Sequence, residues 1–174
     1  MTLIKLMQKR ASIRAYSAKS VEEEKLSQIL EAARLSPSAC NNQPWYFLVV
    51  SGEDGRANIG NCYSREWAKT APSFIIVCGN HEESWKRPAD KKDHVDIDAG
   101  IVIEHICLAA AELDLGSCII CNFDTKLCSE LFGLPDYIES MAIIPIGYPA
   151  DPDIFQKTPK NRKAIEEIIR YEKF

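Results

Sequence analysis

Apolar residues recur with helical spacing in two stretches of the chain. The first stretch follows Ser20-Val21-Glu22-Glu23, which has the form of a capping box, and it predicts an amphipathic helix over residues 20–35. The second stretch, residues 97–115, is apolar almost all round, which is typical of a helix buried in the middle of a fold. Gly116 is expected to end this second helix.

Short apolar runs bounded by proline and glycine predict β-strands. Two runs rich in aromatic or β-branched residues, Trp45–Val50 and Ser73–Cys78, are expected to be inner strands with two short helical stretches between them. Ser117–Cys121 and Met141–Ile146 predict two further strands, and residues 125–132 predict a brief helix. Because helices and strands interleave without a strict βαβ rhythm, an α+β fold is expected. No glycine-rich dinucleotide fingerprint follows any of these strands, which excludes a Rossmann domain.

Two polar segments interrupt this pattern. Residues 80–96 are crowded with charged residues and histidines around Trp85, which predicts a surface loop or lid. Residues 151–174 begin with polar residues and prolines, which predicts a C-terminal arm rather than a core element. The last part of this arm, residues 165–174, fits a helix and an edge strand equally well. The chain length favours a single domain over residues 1–174.

Composition and charge narrow the possible functions. The formal net charge of −4 provides no basic surface for a nucleic acid, and no apolar run reaches the length that crosses a membrane. The N-terminal residues lack the apolar core of a signal peptide, so a cytoplasmic protein is expected. Seven cysteines, an odd number scattered mainly through apolar runs, are typical of reduced and buried thiols.

No metal site is predicted. Cys118 and Cys121 form the one pair with redox or metal spacing, but they lie in a predicted strand and no second pair follows at a zinc-site distance. The three histidines show no convergent spacing with carboxylates, and His105 falls on the predicted buried helix. Asp96 and Asp98 are expected to cap that helix rather than to bind a metal.

Two segments carry candidate ligand chemistry. Residues 10–16 place two arginines and a serine within five positions, and residues 37–45 form a turn of small and polar residues before an apolar strand. A ligand that bears a phosphate and an aromatic part fits both segments. Taken alone, the arginines could equally be solvated charges at a helix end. Asn41 and Gln43 could equally satisfy the backbone of their own turn.

Five motifs occur in one order along nearly the whole chain. They are Arg10-x-Ser12-x-Arg14-x-Tyr16, Pro37-Ser38-x-x-Asn41-x-Gln43-Pro44-Trp45, Gly116-Ser117-Cys118, Ile144-Pro145-Ile146-Gly147-Tyr148-Pro149 and Lys160-x-Arg162. In these motifs the chain resembles the nitroreductase family of flavin oxidoreductases. The resemblance implies an α+β fold in which helices flank a central, mostly antiparallel sheet. It also implies an intertwined homodimer with an exchanged C-terminal arm.

The resemblance further implies one FMN at each of two symmetric sites in the dimer interface. Arg10 and Ser12 would hold its phosphate. Lys160 and Arg162 would complete the phosphate site, and Arg14 would lie near flavin N1 and O2, where negative charge develops on reduction. The polar turn of the partner chain would line the flavin, and backbone N–H groups at the end of the third predicted strand would approach flavin N5. The implied cofactor-binding residues are Arg10, Ala11, Ser12, Arg14, Pro37, Ser38, Ala39, Asn41, Gln43, Ile120, Cys121, Asn122, Lys160 and Arg162.

The implied activity is hydride transfer from NADH or NADPH, followed by reduction of a nitroaromatic, quinone or related small-molecule acceptor in a ping-pong mechanism. No side chain has to be catalytic, because the flavin carries the electrons and Arg14 tunes it. Two alternatives stay open: a specialised flavin reductase such as a reductive dehalogenase, and a flavin-binding protein without catalysis. Only residues 82–96 are available to cover the pocket, so an open pocket is expected.

Overall fold

The computed structural model describes all residues from Met1 to Phe174 and shows an α+β fold. The strands are β1 (Trp45–Val50), β2 (Ser73–Asn80), β3 (Gly116–Ser117) and β4 (Ile138–Gly147). The α-helices are α1 (Leu3–Lys9), α2 (Glu23–Arg34), α3 (Glu53–Cys62), α4 (Val95–Glu112), α5 (Thr125–Phe132), α6 (Ile154–Lys157) and α7 (Ile165–Ile168), and two 3₁₀ helices cover Ala39–Asn41 and Glu66–Thr70. The strands form one antiparallel sheet in the order β1-β2-β4-β3.

The centre of the sheet is β2, whose residues are all buried. It pairs with β1 on one side and with β4 on the other, where a bulge separates Val77 and Cys78. In this chain β1 lies at the edge of the sheet, so the expectation of an inner strand at residues 45–50 is wrong. Tyr46 and Val49 are 49% and 43% exposed. An apolar run alone does not distinguish an edge strand from an inner one.

Two apolar cores cover the two faces of the sheet. Successive residues of β2 point to opposite faces, so Ile75 packs with α2 and α4, whereas Ile76 packs with α3 and α5. The first core confirms the buried helix expected near residues 97–115. The helix expected over residues 125–132 and the two helical stretches between the first strands are also confirmed.

The expected helix ends differ from the observed ones. α2 begins at Glu23, three residues after the proposed capping serine. Glu22, which precedes it, makes no capping hydrogen bond with its side chain, and its carboxylate accepts the Tyr148 hydroxyl at 2.7 Å. α4 follows His94 and ends at Glu112, so Gly116 does not end it. The His94 side chain does not cap α4, and Oδ1 of Asp93 accepts the Val95 N–H at 2.9 Å instead, so the expectation that Asp96 and Asp98 cap the helix is wrong.

Gly116 instead allows a close approach between β3 and the N-terminal segment. A Cβ atom at this position would lie 2.8 Å from Cγ2 of Ile13, closer than side-chain contacts allow. The Ile13 N–H donates to the Ser117 carbonyl at 2.8 Å, and Ser12 forms a parallel bridge with Ser117. β3 consists of these two residues alone, shorter than the strand expected over Ser117–Cys121, and it fixes the arginine-bearing segment.

Residues 81–94 form a surface loop, as expected, and His81 ties this loop to the sheet. Its Nδ1 lies 3.0 Å from the Asp93 carboxylate, and its Nε2 lies 2.9 Å from the Glu139 carboxylate of β4. The hydrogen bond to Asp93 is the main reason that the pKa of His81 is raised, and Glu139 adds to it. Whether the loop acts as a lid stays a prediction.

The C-terminal arm lies on the surface of the chain. All residues from 161 to 174 are exposed. Neither a helix nor an edge strand extends over residues 165–174, because α7 covers only four residues and the remainder has no regular structure. No helix in the chain is both long enough and apolar enough to cross a membrane.

Candidate active site

The N-terminal motif runs beside β3 and divides its side chains between core and surface. Ala11 and Ile13 are buried in the second core, whereas Ser12 and Arg14 are exposed. This alternation follows from the extended backbone of the segment. Ala11 can therefore offer a ligand only its backbone, while Ser12 and Arg14 offer their side chains.

Three cations meet where the C-terminal arm crosses this motif. The ammonium group of Lys160 donates to the Arg10 carbonyl. Its pKa is lowered, first by burial and then by the neighbouring charges of Arg10 and Arg162. The nearest carboxylate oxygen to Arg10, on Glu104, lies 3.6 Å from its Nε, and this buried nitrogen has no hydrogen-bond partner. The cluster is thus rich in positive charge and retains donor capacity, as an anion site requires.

Arg14 lies between two open clefts. One cleft, of about 480 Å³, is bordered by Ser12 and by Thr158 of the arm. The other, of about 410 Å³, is bordered by residues 62–67 and 118–124. Arg14 belongs to none of the ion pairs in the chain. Its guanidinium is therefore available to a ligand in either cleft.

Residues 120–122 line the second cleft, of about 410 Å³. The Ile120 N–H donates to the Ile143 carbonyl at 3.1 Å, so it is not free to bind a ligand. The N–H groups of Cys121 and Asn122 have no acceptor within the protein. These two donors therefore point to the end of the segment as the place where a ligand atom can be bound.

The cysteines show no sign of a bonded pair. Cys118 is buried and Cys121 is exposed, and all seven thiols are free. The expectation of buried thiols is wrong for Cys121 and Cys40, which are both exposed. Burial raises the pKa of Cys62 to about 12, so this thiol stays protonated. No group of three His, Cys, Asp or Glu residues could hold a metal ion.

The polar turn at residues 37–43 is conformationally strained. Cys40, Asn41 and Gln43 have φ angles of 52°, 56° and 52°, in the left-handed region that favours glycine. The Ser38 hydroxyl accepts the Gln43 N–H at 2.8 Å and so closes the turn. Strained backbone of this kind clusters at ligand sites.

Asp98 of α4 holds the turn in place. Its Oδ1 accepts the Ala39 N–H at 3.0 Å, and the residue is only 2% exposed. Its Oδ2 is buried and has no hydrogen-bond partner. The turn is also joined to the surface loop, because the Asn42 amide donates to the Glu83 carbonyl at 2.8 Å. The Gln43 amide donates to the Asn41 carbonyl at 3.3 Å, so the turn also satisfies part of its own backbone.

One chain does not bring the turn and the cation cluster together. The turn bonds to Asp98, and the cluster lies beside Glu104. Six residues separate these positions on α4, which turns the helix by roughly 240° and places them on different sides. No hydrogen bond or ion pair joins the two halves.

Three residues that line the second cleft belong to none of the sequence motifs. Tyr63, Arg65 and Trp67 line the cleft together with residues 120–122. Tyr63 and Trp67 make an edge-to-face contact with ring centroids 5.8 Å apart. The only signal in the sequence is an arginine between two aromatic residues in a short connection.

This geometry can be compared with known proteins. A family model described as the nitroreductase family matches residues 7–62 and 59–148. The chain belongs to the nitroreductase family. A provisionally named NADH dehydrogenase/NAD(P)H nitroreductase from Archaeoglobus fulgidus is 33% identical over 153 residues, which cover 85% of this chain and 86% of that protein.

Solved structures of the family have the same fold. A nitroreductase family protein from Clostridium difficile 630 superposes with a TM-score of 0.89 at 35% identity, with all of both chains covered. An FMN-dependent nitroreductase from Clostridium difficile R20291 has a TM-score of 0.82 at 29% identity and covers 99% of this chain and 100% of its own. The resemblance and the expected α+β nitroreductase fold are confirmed, whereas the exchanged arm stays a prediction.

Proposed function

We propose that this nitroreductase family member binds FMN, takes a hydride from NADH or NADPH, and reduces nitroaromatic, quinone or related acceptors. The cluster of Arg10, Lys160 and Arg162 carries the proposal, because it provides the charge that a phosphate dianion needs. The comparisons support the same chemistry, since one similar structure is of an FMN-dependent nitroreductase and one relative is named for NAD(P)H.

The phosphate end of FMN suits the cation cluster. The buried Nε of Arg10 would donate to a phosphate oxygen, and the exposed Ser12 hydroxyl would add a neutral donor. Burial is the main cause of the lowered pKa of Lys160, and a dianion would offset the added repulsion from Arg10 and Arg162. Charge-assisted hydrogen bonds contribute about 1.5 to 3 kcal/mol each. Two or three of them support micromolar affinity, about −8 kcal/mol.

The ring of FMN suits the two clefts beside Arg14. When bound, FMN supplies the hydride acceptor and the electron donor of the reaction. Arg14 would stabilise negative charge at the N1 and O2 edge, and the free N–H groups of Cys121 and Asn122 would face N5. No residue has to act as a nucleophile or general base.

A homodimer would complete the site. Each chain would contribute its cation cluster to one FMN and its turn at residues 37–43 to the other. Apolar residues exposed on this chain support a second copy as the covering partner: α1 buries none of its residues, and Ile97 of α4 is 49% exposed. The arm exposes Ile165 and Ile168 in the same way. The partner would bury these surfaces.

The proposed reaction balances with the nicotinamide as the only reductant. For a nitroaromatic compound the first step overall is ArNO₂ + NAD(P)H + H⁺ → ArNO + NAD(P)⁺ + H₂O. A quinone takes the same two electrons and two protons to become a hydroquinol. Donor and acceptor would bind over the flavin one after the other, which gives ping-pong kinetics.

An anaerobic visible spectrum tests the proposed function. Protein loaded with FMN is expected to be yellow and to bleach within seconds to minutes after NADH or NADPH is added. Later addition of a nitroaromatic compound or a quinone is expected to restore the colour. A protein that stays colourless contradicts FMN binding. Flavin that dithionite bleaches and neither nucleotide does would favour the binding protein without catalysis, and reoxidation by a halophenol alone would favour the dehalogenase.

Replacing Arg14 by alanine is expected to lower the midpoint potential of bound FMN. Loss of this cation destabilises the reduced flavin, which carries more negative charge. The midpoint potential is expected to fall by on the order of 30 mV, which is about 1.4 kcal/mol for two electrons. The measurement is a spectroscopic redox titration against a reference dye. Arg56→Ala, which removes an exposed arginine from α3, is the control and is expected to leave the potential unchanged. Equal potentials in the wild type and Arg14→Ala would refute the role.

A further inference from the structure

The cleft of about 410 Å³ beside Arg14 has walls suited to a planar aromatic molecule. Tyr63 and Trp67 line it as an edge-to-face pair, and Phe123 lines it as well. Ring edges and faces attract one another, so such walls favour an aromatic guest. The proposed contacts of the flavin with Cys121 and Asn122 lie in the same cleft.

The same cleft carries an excess of positive charge. Arg14 and Arg65 both line it, and neither belongs to an ion pair. Its one carboxylate, on Asp124, is partly engaged, because Oδ1 accepts the Leu127 N–H at 2.9 Å at the start of α5. The cleft therefore favours an anionic guest over a neutral or cationic one.

The two arginines differ in position. Arg14 borders both clefts and is proposed to serve the flavin, whereas Arg65 borders the aromatic cleft and not the one of about 480 Å³. The backbone of Arg65 is fixed, since its carbonyl accepts the Ala68 N–H at 2.9 Å where the second 3₁₀ helix begins. Its side chain is exposed and makes no hydrogen bond within the protein. The backbone thus fixes where the side chain begins at the cleft, and the donors of the guanidinium are free.

We propose that Arg65 selects aromatic acceptors that carry an anionic group, such as a carboxylate. This inference rests on the proposed function and names the substrate class of that site. The guanidinium would pair with the carboxylate through two parallel hydrogen bonds while the ring lies against Tyr63 and Trp67. Arg65 exchanges no electrons and no atoms with the acceptor. It determines which nitroaromatic compound receives the two electrons supplied by NAD(P)H.

The test compares 4-nitrobenzoate with 4-nitrobenzamide, which have similar shapes and differ in charge. Enzyme with FMN reduced by dithionite is mixed with each acceptor under anaerobic conditions, and flavin reoxidation is followed. Arg65→Gln is expected to lower the second-order rate constant for 4-nitrobenzoate about tenfold and to leave that for 4-nitrobenzamide within about twofold. Arg65→Lys keeps the charge and is expected to retain part of the preference.

A binding measurement gives a second readout. Calorimetry with benzoate and benzamide, which accept no electrons here, is performed on the full chain with and without FMN. Arg65→Gln is expected to weaken benzoate binding about tenfold and not to affect benzamide. Arg56→Gln removes a different exposed arginine and is expected to leave both measurements unchanged.

An unchanged ratio of the two rate constants in Arg65→Gln would overturn the proposal in any of three forms. Both rate constants are unchanged, both fall equally, or the ratio is unchanged while flavin reduction by NADPH becomes slower. The last outcome would assign Arg65 to the electron donor. Because dithionite reduces the flavin in this experiment, failure of NADH and NADPH to do so would contradict the proposed function separately. Benzoate calorimetry without FMN tests Arg65 even if no flavin binds.

Discussion

Replacing both Arg10 and Lys160 by alanine is expected to abolish FMN binding at micromolar concentrations. Each side chain is proposed to form a charge-assisted hydrogen bond to the phosphate, and each such bond contributes about 1.5 to 3 kcal/mol. Loss of both would weaken binding by about 3 to 6 kcal/mol, roughly 10² to 10⁴-fold in the dissociation constant. The single substitutions are expected to weaken it by about 10- to 100-fold each. Titration of FMN fluorescence against protein measures the effect.

Riboflavin separates a lost phosphate site from a damaged fold, because it has the same ring and no phosphate. The double variant is expected to bind riboflavin as the wild type does. Lys163→Ala removes an exposed cation three residues along the arm from Lys160 and serves as the matched control. If FMN and riboflavin lost affinity to the same extent, the cation cluster would not be the phosphate site.

Replacing both Ile165 and Ile168 by aspartate is expected to convert the protein into monomers that bind no FMN. These isoleucines are 60% and 64% exposed in the single chain, and we propose that a second copy buries them. Burial of one such side chain contributes about 1.5 to 3 kcal/mol. The pair would therefore weaken association by about 3 to 6 kcal/mol, roughly 10² to 10⁴-fold. Light scattering after size-exclusion chromatography measures the mass, and absorbance measures bound flavin.

Glu166→Gln provides the control on the same helix. The Glu166 side chain is exposed and makes no ion pair, so its change is expected to alter neither mass nor flavin content. A double isoleucine variant that remained dimeric and yellow would contradict the proposed role of the arm. A dimeric variant without flavin would show that the arm serves the cofactor site rather than association.

Elements bounded by local signals were predictable from the sequence. β1 and α5 have the expected limits, because Pro44 precedes the one and Asp124 and Gly133 flank the other. The start of α2 was not predictable in this way. It follows Glu22, whose carboxylate bonds to Tyr148, 126 residues away, and no local pattern reports such a distant partner. α1, which buries none of its residues, was not predicted.

The candidate site shows the same division. Arg10 and Lys160 are 150 residues apart along the chain, so no local pattern shows that they meet. Only the family resemblance predicted it. Asp98 was expected to cap α4, yet its carboxylate holds the turn, because helix geometry alone does not show what packs against a face. Arg65 was missed because its meaning depends on the aromatic wall around it.

The left-handed residues at Cys40, Asn41 and Gln43 have a consequence for protein engineering. Non-glycine residues in this region cost on the order of 1 to 3 kcal/mol each, and glycine adopts it without that cost. Selection for heat resistance alone would therefore favour glycine at Cys40. The same exchange would loosen the turn that is proposed to line the flavin, so thermostability and cofactor retention would have to be screened together.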